Sequence, residues 1–292
     1  MVDKRKLGEA YEKIGIITDS TACLNFVDFH HESVRVIDFV VVIDGVPHKI
    51  STLDSKEFYK DMDDCSALPT TAIASVQDVL DIFNDFKRFG YTDIIVMTVS
   101  SKLSGSLNNI TCAAQDVEDM NIHVIDSLTT AFILGDVVIE ASKLIDEGQD
   151  IDKILTEIQR MYDNDNILIY VDTLKNLVKG GRMSGAIGMV GEVFKIKPIL
   201  ELGHDGTVKP IAKNRTAKKS IKAIKEMYLQ ATEGKEHKLY LFYTDNKEEI
   251  LKLEEELLSN NSSAVDSSIT GLSPVVSTHT GAGAFGIGWR FK

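Results

Sequence analysis

The stretch Asp93-Ile94-Ile95-Val96-Met97-Thr98-Val99-Ser100-Ser101-Lys102-Leu103-Ser104-Gly105-Ser106 decides how this chain folds. Its first half is an unbroken apolar, β-branched run, the mark of a strand buried on both faces. Its second half is a hydroxyl-rich loop that opens straight into a helix. A strand feeding a helix in this way is half of a βαβ unit and calls for a parallel sheet. The first-turn N–H groups of a helix have no partner inside it, and the macrodipole adds partial positive charge there. With four serines between residues 100 and 106, the junction reads as a cradle for an anion. The loop has neither the first glycine nor the Gly-Lys pair of a nucleotide-phosphate loop, so a carboxylate suits it better than a nucleoside triphosphate.

Outward from this junction the same rhythm repeats. Residues 14–18 read as a short strand ending in Asp19-Ser20-Thr21, and residues 34–43 as one extended run before an Asp44-Gly45 turn. After a Pro69-Thr70-Thr71-Ala72 loop, Val76, Val79, Leu80 and Phe83 carry helical spacing, as do Leu107, Ile110, Ala114 and Val117. A strand at residues 122–125 stops at Asp126-Ser127, and a helix follows over residues 129–145. Beyond Tyr162 to Asn166 the rhythm changes. A strand at 167–171 precedes a short helix broken by Lys179-Gly180-Gly181-Arg182, and residues 196–202 and 208–212 form a hairpin across His204-Asp205-Gly206. Two charged helices, over 216–230 and 247–258, flank a strand at 239–243, and residues 277–284 read as a small-residue loop before a last extended stretch. The predicted fold class is therefore α/β in two domains. The N-terminal domain, residues 1–163, holds a parallel doubly wound sheet, and the C-terminal α/β domain, residues 164–292, a mixed one.

Composition narrows the function classes. The chain has 292 residues, of which 43% are hydrophobic and 26% charged, in the range of a folded globular protein. A formal net charge of −12 argues against binding nucleic acid or an anionic membrane through bulk charge. Three widely spaced cysteines, Cys23, Cys65 and Cys112, offer neither a disulfide framework nor a metal or redox motif, which fits a reducing, cytoplasmic setting. The first residues lack the apolar core of a signal peptide, and no charge-free stretch is long enough to span a bilayer. The expected chain is neither secreted nor membrane-spanning.

Polar groups gather at the strand ends. Asp19, Ser127 and Thr129 are individually explained as helix caps. The Ser100 to Ser106 cluster exceeds what one cap requires and reads as a ligand loop. His279, between hydroxyls and ahead of Gly281 and Gly283, is the strongest acid, base or anion-contacting candidate among the seven histidines, and it also reads as a loop histidine capping the last strand. The other histidines show no metal spacing, and no metal is expected. Arg182 after Gly180-Gly181 suits an incoming phosphate or carboxylate and equally a surface position at a helix end. Residues 183–193 interleave apolar side chains with Gly185, Ala186, Gly188 and Gly191, a pattern compatible with tight helix packing or an open groove. Lys209, Lys213, Arg215, Lys218, Lys219, Lys222 and Lys225 form a basic stretch that reads first as a solvated helix face and second as a dock for an acidic partner. No G-x-S-x-G nucleophile elbow or glycosidase carboxylate pair is present.

With these motifs in order, the chain resembles the DegV family, the fatty-acid-binding family that includes the carrier subunits of bacterial fatty-acid kinases. The likeness runs from Ile17-Thr18-Asp19-Ser20-Thr21 through Pro69-Thr70-Thr71, Ser100-Ser101-Lys102-Leu103-Ser104-Gly105-Ser106, Asp126-Ser127 and Gly180-Gly181-Arg182-Met183-Ser184 to His279-Thr280-Gly281-Ala282-Gly283-Ala284. The resemblance implies a bacterial lipid-binding carrier, not an enzyme, with two α/β domains and a long-chain fatty acid in the cleft between them. By the same resemblance Thr71, Ser100 and Ser101 hold the carboxylate, Ser104 and Gly105 shape the loop, and His279 completes the pocket. Arg182 then sits near the site of phosphoryl transfer or partner contact. The implied partners are the fatty acid, a separate ATP-dependent fatty-acid kinase and a transient membrane contact, with no cofactor. The chain departs from the family pattern at Ala72, Ile73 and Ala74, where Ser-Gln-Pro is usual, and at Ala282 in place of proline. Two other readings remain open: an acyl- or phosphoryl-transfer enzyme using His279, and a regulator whose lipid load alters a contact made by the basic helix.

Overall fold

A computed structural model of the chain describes residues 12–62, 65, 67–183 and 196–292. The small-residue stretch beyond Met183, Ser184 included, and the first eleven residues lie outside the described residues.

The described elements of the first half run β1 (Ile14–Asp19), β2 (Val34–Ile37), β3 (Val40–Ile43), β4 (Val46–Lys49), α1 (Ser55–Met62), β5 (Thr70–Ala72), α2 (Val76–Arg88), β6 (Asp93–Thr98), α3 (Ser106–Gln115), β7 (Asn121–Asp126), α4 (Ala131–Asp146) and α5 (Ile151–Asp163). The second half runs β8 (Asp165–Tyr170), α6 (Lys175–Lys179), β9 (Lys197–Leu202), β10 (Val208–Asn214), α7 (Ala217–Thr232), β11 (His237–Tyr243), α8 (Lys247–Asn260), β12 (Ala264–Gly271), α9 (Pro274–Thr280) and β13 (Phe285–Phe291).

Strands β2-β1-β6-β7 form an all-parallel sheet. Both faces of its central strands are covered, as their continuous apolar runs require. Ile16, Ile95 and Met97 pack towards α4 and α5, while Ile17, Ile94 and Val96 pack towards α2 and α3. The second sheet, in the order β10-β9-β8-β13-β11-β12, is mixed: β11 and β12 run parallel and the remaining neighbours antiparallel. Its strands alternate with period two. Leu239 and Leu241 of β11 face α7 and α8, and Tyr240 and Phe242 face α4. Both sheets thus pack on α4, whose residues 131–138 are all buried.

Asp136 on α4 fastens this sandwich. Its Oδ2 accepts from Arg290 Nη1 at 2.7 Å and Tyr240 Oη at 2.7 Å, and its Oδ1 from Lys238 Nζ at 2.8 Å. Arg290 turns its other edge to Asp165, with Nε to Oδ1 at 2.6 Å and Nη2 to Oδ2 at 3.2 Å. The cluster ties α4, β8, β11 and β13 into one block.

Three sequence expectations change. The run over residues 34–43 divides, because β2 stays in the parallel sheet while β3 pairs antiparallel with β4 and β5 in a separate three-stranded sheet. The loop expected at Thr70 to Ala72 is strand β5, with Thr71 opposite Val41. The tail expected as a loop contains α9, which begins at Pro274 and has His279 in its last turn. Proline at the first helical position presets the backbone, and burial of Pro274, Val275, Ser277 and Thr278 outweighs the weak helix propensity of this segment.

Candidate functional site

Where β5, α9, the loop after β6 and the turn after α6 meet, they enclose a cavity of about 740 Å³ with its open mouth included. The walls are mainly aliphatic and aromatic: Phe39, Val99, Ile169, Leu177, Val208 and Val275, with Ala72, Ile73, Leu103 and Val276. The polar lining includes Thr71, Ser104, His279 and Arg182, with the hydroxyls of Thr21, Thr130 and Thr280. An apolar chamber with a few convergent polar groups has the make-up of a small-molecule site.

Each polar residue is held by its element. Asp19 accepts from Thr21 N at 2.8 Å and from Val99 N at 2.8 Å, which joins the end of β1 to the end of β6. Burial raises its pKa, and these hydrogen bonds pull it back. It is a structural cap. The α9 helix is pinned at its start by Tyr59 Oη donating to Leu272 O and by Ser273 N donating to Cys23 Sγ at 3.3 Å. Nearer its end, Asn176 Nδ2 donates to Thr278 O at 3.1 Å. So anchored, α9 brings His279 Nε2 within 3.0 Å of Thr71 Oγ1. Gly180 backs the ring on the other side, since a Cβ there would lie 2.6 Å from His279 Nδ1.

Desolvation first, and the positive charge of Arg182 second, lower the His279 pKa to about 4. The imidazole is therefore neutral at pH 7. With the proton on Nε2, His279 donates to Thr71 Oγ1 and leaves the threonine proton for a ligand. Ser104 is similarly prepared, because its Oγ accepts from Ser106 N at 3.2 Å and keeps its own proton to donate. The positive charge comes from Arg182, whose Nε donates to Leu103 O at 3.1 Å and Nη1 to Gly180 O at 2.5 Å. Among the described residues no carboxylate pairs with it. A cation and two neutral donors around one end of an apolar chamber can hold a carboxylate.

The expected site residues divide. Thr71, Ser104, His279 and Arg182 line the cavity together. Ser100, Ser101 and Gly105 do not. Ser100 Oγ donates to Gly206 O at 2.8 Å, Ser101 N donates to Asp126 Oδ1 at 3.0 Å, and Gly105 is the N-cap of α3. Sequence reasoning passed over Thr280, whose buried Oγ1 has no hydrogen-bond partner among the described residues; only its place in the His279-Thr280-Gly281 motif marked it. In the basic stretch, Lys209, Lys222 and Lys225 pair with Asp205, Glu226 and Glu256, while Lys218 and Lys219 are exposed. No metal-holding cluster and no membrane-spanning helix occurs among the described residues.

These features define a mixed α/β protein with an apolar chamber whose polar lining includes hydroxyls and one arginine. The family model described as "Uncharacterised protein, DegV family" matches residues 13–292, and the chain belongs to the DegV family. It is 31% identical over 280 residues to a DegV domain-containing protein of Staphylococcus aureus, covering 95% of this chain and 97% of that one. Among solved structures, the fatty acid binding DegV family protein of Streptococcus agalactiae superposes with a TM-score of 0.88 at 28% identity, over 96% of this chain and 99% of the other. DegV of Bacillus subtilis, described as a fatty acid binding protein, gives 0.85 at 27% identity, over 96% and 100%.

Proposed function

We propose that this chain binds one long-chain fatty acid in the cavity, with the tail along the aliphatic wall and the carboxylate at Thr71, Ser104 and Arg182, while His279 orients Thr71. A tail of about 14 methylenes at ~0.8 kcal/mol each offers roughly 11 kcal/mol before ordering costs, more than a few head-group hydrogen bonds supply. The tail sets affinity and the head sets register. The observation that carries the reading is that Ser104, the Thr71–His279 pair and Arg182, which has no carboxylate partner among the described residues, line one apolar chamber side by side. The S. agalactiae and B. subtilis relatives, each described as fatty acid binding, support it.

The head group would then be offered at the mouth to a separate ATP-dependent kinase, which forms the acyl phosphate. The loop after β6 has neither the first glycine nor the adjacent Gly-Lys pair of a nucleotide-phosphate loop, which favours a carrier served by another chain's ATP site. The setting is cytoplasmic, with transient contact at a membrane where the fatty acid is collected. Denaturing mass spectrometry of protein purified from a lipid-replete cell should release one fatty acid per chain, of roughly 14 to 18 carbons given the tail energetics. A chain that carries no lipid would count decisively against the reading.

One observation favours an enzyme: the imidazole of His279 lies against a hydroxyl, as a general base lies against a nucleophile. A pKa near 4 makes that imidazole a weak base at neutral pH, so the binding role is preferred. Turnover of acyl esters that disappears in His279→Ala would reverse the preference.

A further inference from the structure

Ser100 is fully buried and its hydrogen-bonding capacity is spent inside the protein. Its Oγ–H donates to Gly206 O at 2.8 Å, and the same oxygen accepts from Lys102 N at 3.2 Å. A serine hydroxyl has a single proton to donate, so none remains for a ligand. The Ser100 backbone is equally engaged. Its N–H donates to Thr129 O at 2.9 Å, and its carbonyl accepts from Leu103 N at 2.9 Å and Ser104 N at 3.1 Å. One residue thus holds three pieces of the cavity wall: the turn presenting Leu103 and Ser104, the loop presenting Thr130, and the β9–β10 turn that leads into Val208.

Gly206 is matched to this contact. It sits at φ 76°, and a Cβ on it would collide with Ser100 Oγ. Its N–H closes the turn on Gly203 O at 2.8 Å, and Asp205 accepts from Thr207 N and Thr207 Oγ1 at 3.1 and 2.7 Å. These hydrogen bonds brace the turn up to the point where its carbonyl meets Ser100. Beside it, Arg182 Nε holds Leu103 O from the same second half of the chain, so the head-end loop is gripped from two directions.

We infer that Ser100 is a positioning residue: the Ser100–Gly206 latch sets the spacing between the head-end loop and the β9–β10 wall, and thereby the residence time of the bound ligand. This rests on the fatty-acid reading above. A ligand that must pass between these two walls leaves faster when the latch is gone, whatever its head group.

The test compares palmitic acid with cetyl alcohol, which shares the tail and lacks the carboxylate. In Ser100→Ala the dissociation rates of both should rise about five-fold, the worth of one ordinary hydrogen bond, and the acid-to-alcohol affinity ratio should stay at the wild-type value. In Ser104→Ala that ratio should fall. Gly206→Ala, which prises the latch from the other side, should speed both dissociations as well. The double variant should be no faster than Gly206→Ala alone, because removing Oγ relieves the collision; this non-additivity separates a latch from two unrelated structural defects. The latch is overturned if Ser100→Ala lowers the acid-to-alcohol ratio as Ser104→Ala does, or if neither Ser100→Ala nor Gly206→Ala changes dissociation. Should Ser100→Ala fail to fold, the Gly206→Ala rates decide. A wild-type chain that retains neither ligand defeats the fatty-acid reading itself, a result distinct from a wild type that binds and a latch variant that behaves like it.

Discussion

Ser104 and Ser100 lie four positions apart and differ in what faces them. Ser104 lines the cavity, and its Oγ accepts from Ser106 N and keeps its own proton to donate, whereas Ser100 has given its proton to Gly206 O. Ser104→Ala should therefore weaken fatty-acid binding about ten- to a hundred-fold, the range for losing a hydrogen bond to a charged group, with little change in the thermal midpoint of the unliganded protein. Isothermal titration and a melt of the apoprotein check both halves. His279 carries a pH signature. Its folded-state pKa of about 4 lies below the ordinary 6.5, so as pH falls the unfolded chain takes up the proton first. The stability present above about pH 6.5 is lost between there and pH 4, by up to about 3 kcal/mol. Urea titrations across this window should show a smaller slope for His279→Gln than for the wild type. Equal slopes would mean that the imidazole titrates normally in the folded state.

At the scale of elements, α4 and α9 do most to build the site. Gly135 of α4 faces the short 3-10 helix Ser20–Ala22, and a Cβ there would collide with Ala22 O while reaching 3.2 Å from Leu24 Cδ2. Alanine in mid-helix ordinarily gains about 1 kcal/mol over glycine. Here the obstacle is backbone and cannot swing away, and overpacking costs about 1 to 3 kcal/mol. Gly135→Ala should lower the denaturation midpoint and, by displacing the Thr21 side of the cavity, weaken ligand binding; a stabilised variant would refute this packing account. The helix α9 shows where local reading stops. Its Ser-Thr-His-Thr content favours a loop, and only its anchors to Tyr59, Cys23 and Asn176, drawn from distant segments, make it a helix aimed at β5. The amphipathic pattern of α2, by contrast, was complete in the chain. Ser75 and Asp78 form a capping box at its start, and Val79, Phe83 and Phe86 are buried.

Across the whole molecule, the two sheets share α4: the parallel sheet packs on it through apolar side chains, and the mixed sheet is tied to it by a buried cluster in which Arg290 serves both Asp136 and Asp165. Arg290→Met leaves two buried carboxylates with less compensation, and removing one partner from such a group costs about 3 to 5 kcal/mol. The loss should appear in one cooperative transition followed by near- and far-ultraviolet dichroism, because the cluster fastens the mixed sheet to α4, on which the parallel sheet also packs; a biphasic melt would indicate that the two sheets unfold separately. Local patterning in the chain was enough to determine the parallel sheet, the β9–β10 hairpin, the switch to a mixed sheet and the family. Apolar runs, period-two alternation and a strand opening into a serine-rich helix start are all written over a few neighbouring residues. Tertiary structure alone decided which hydroxyls line the cavity. Thr71 and His279 meet across 208 positions, and Ser100 and Ser104 differ only in the carbonyl or the space opposite them. A hydroxyl's role follows from where its single proton goes, and that partner is chosen by packing between segments far apart in the chain.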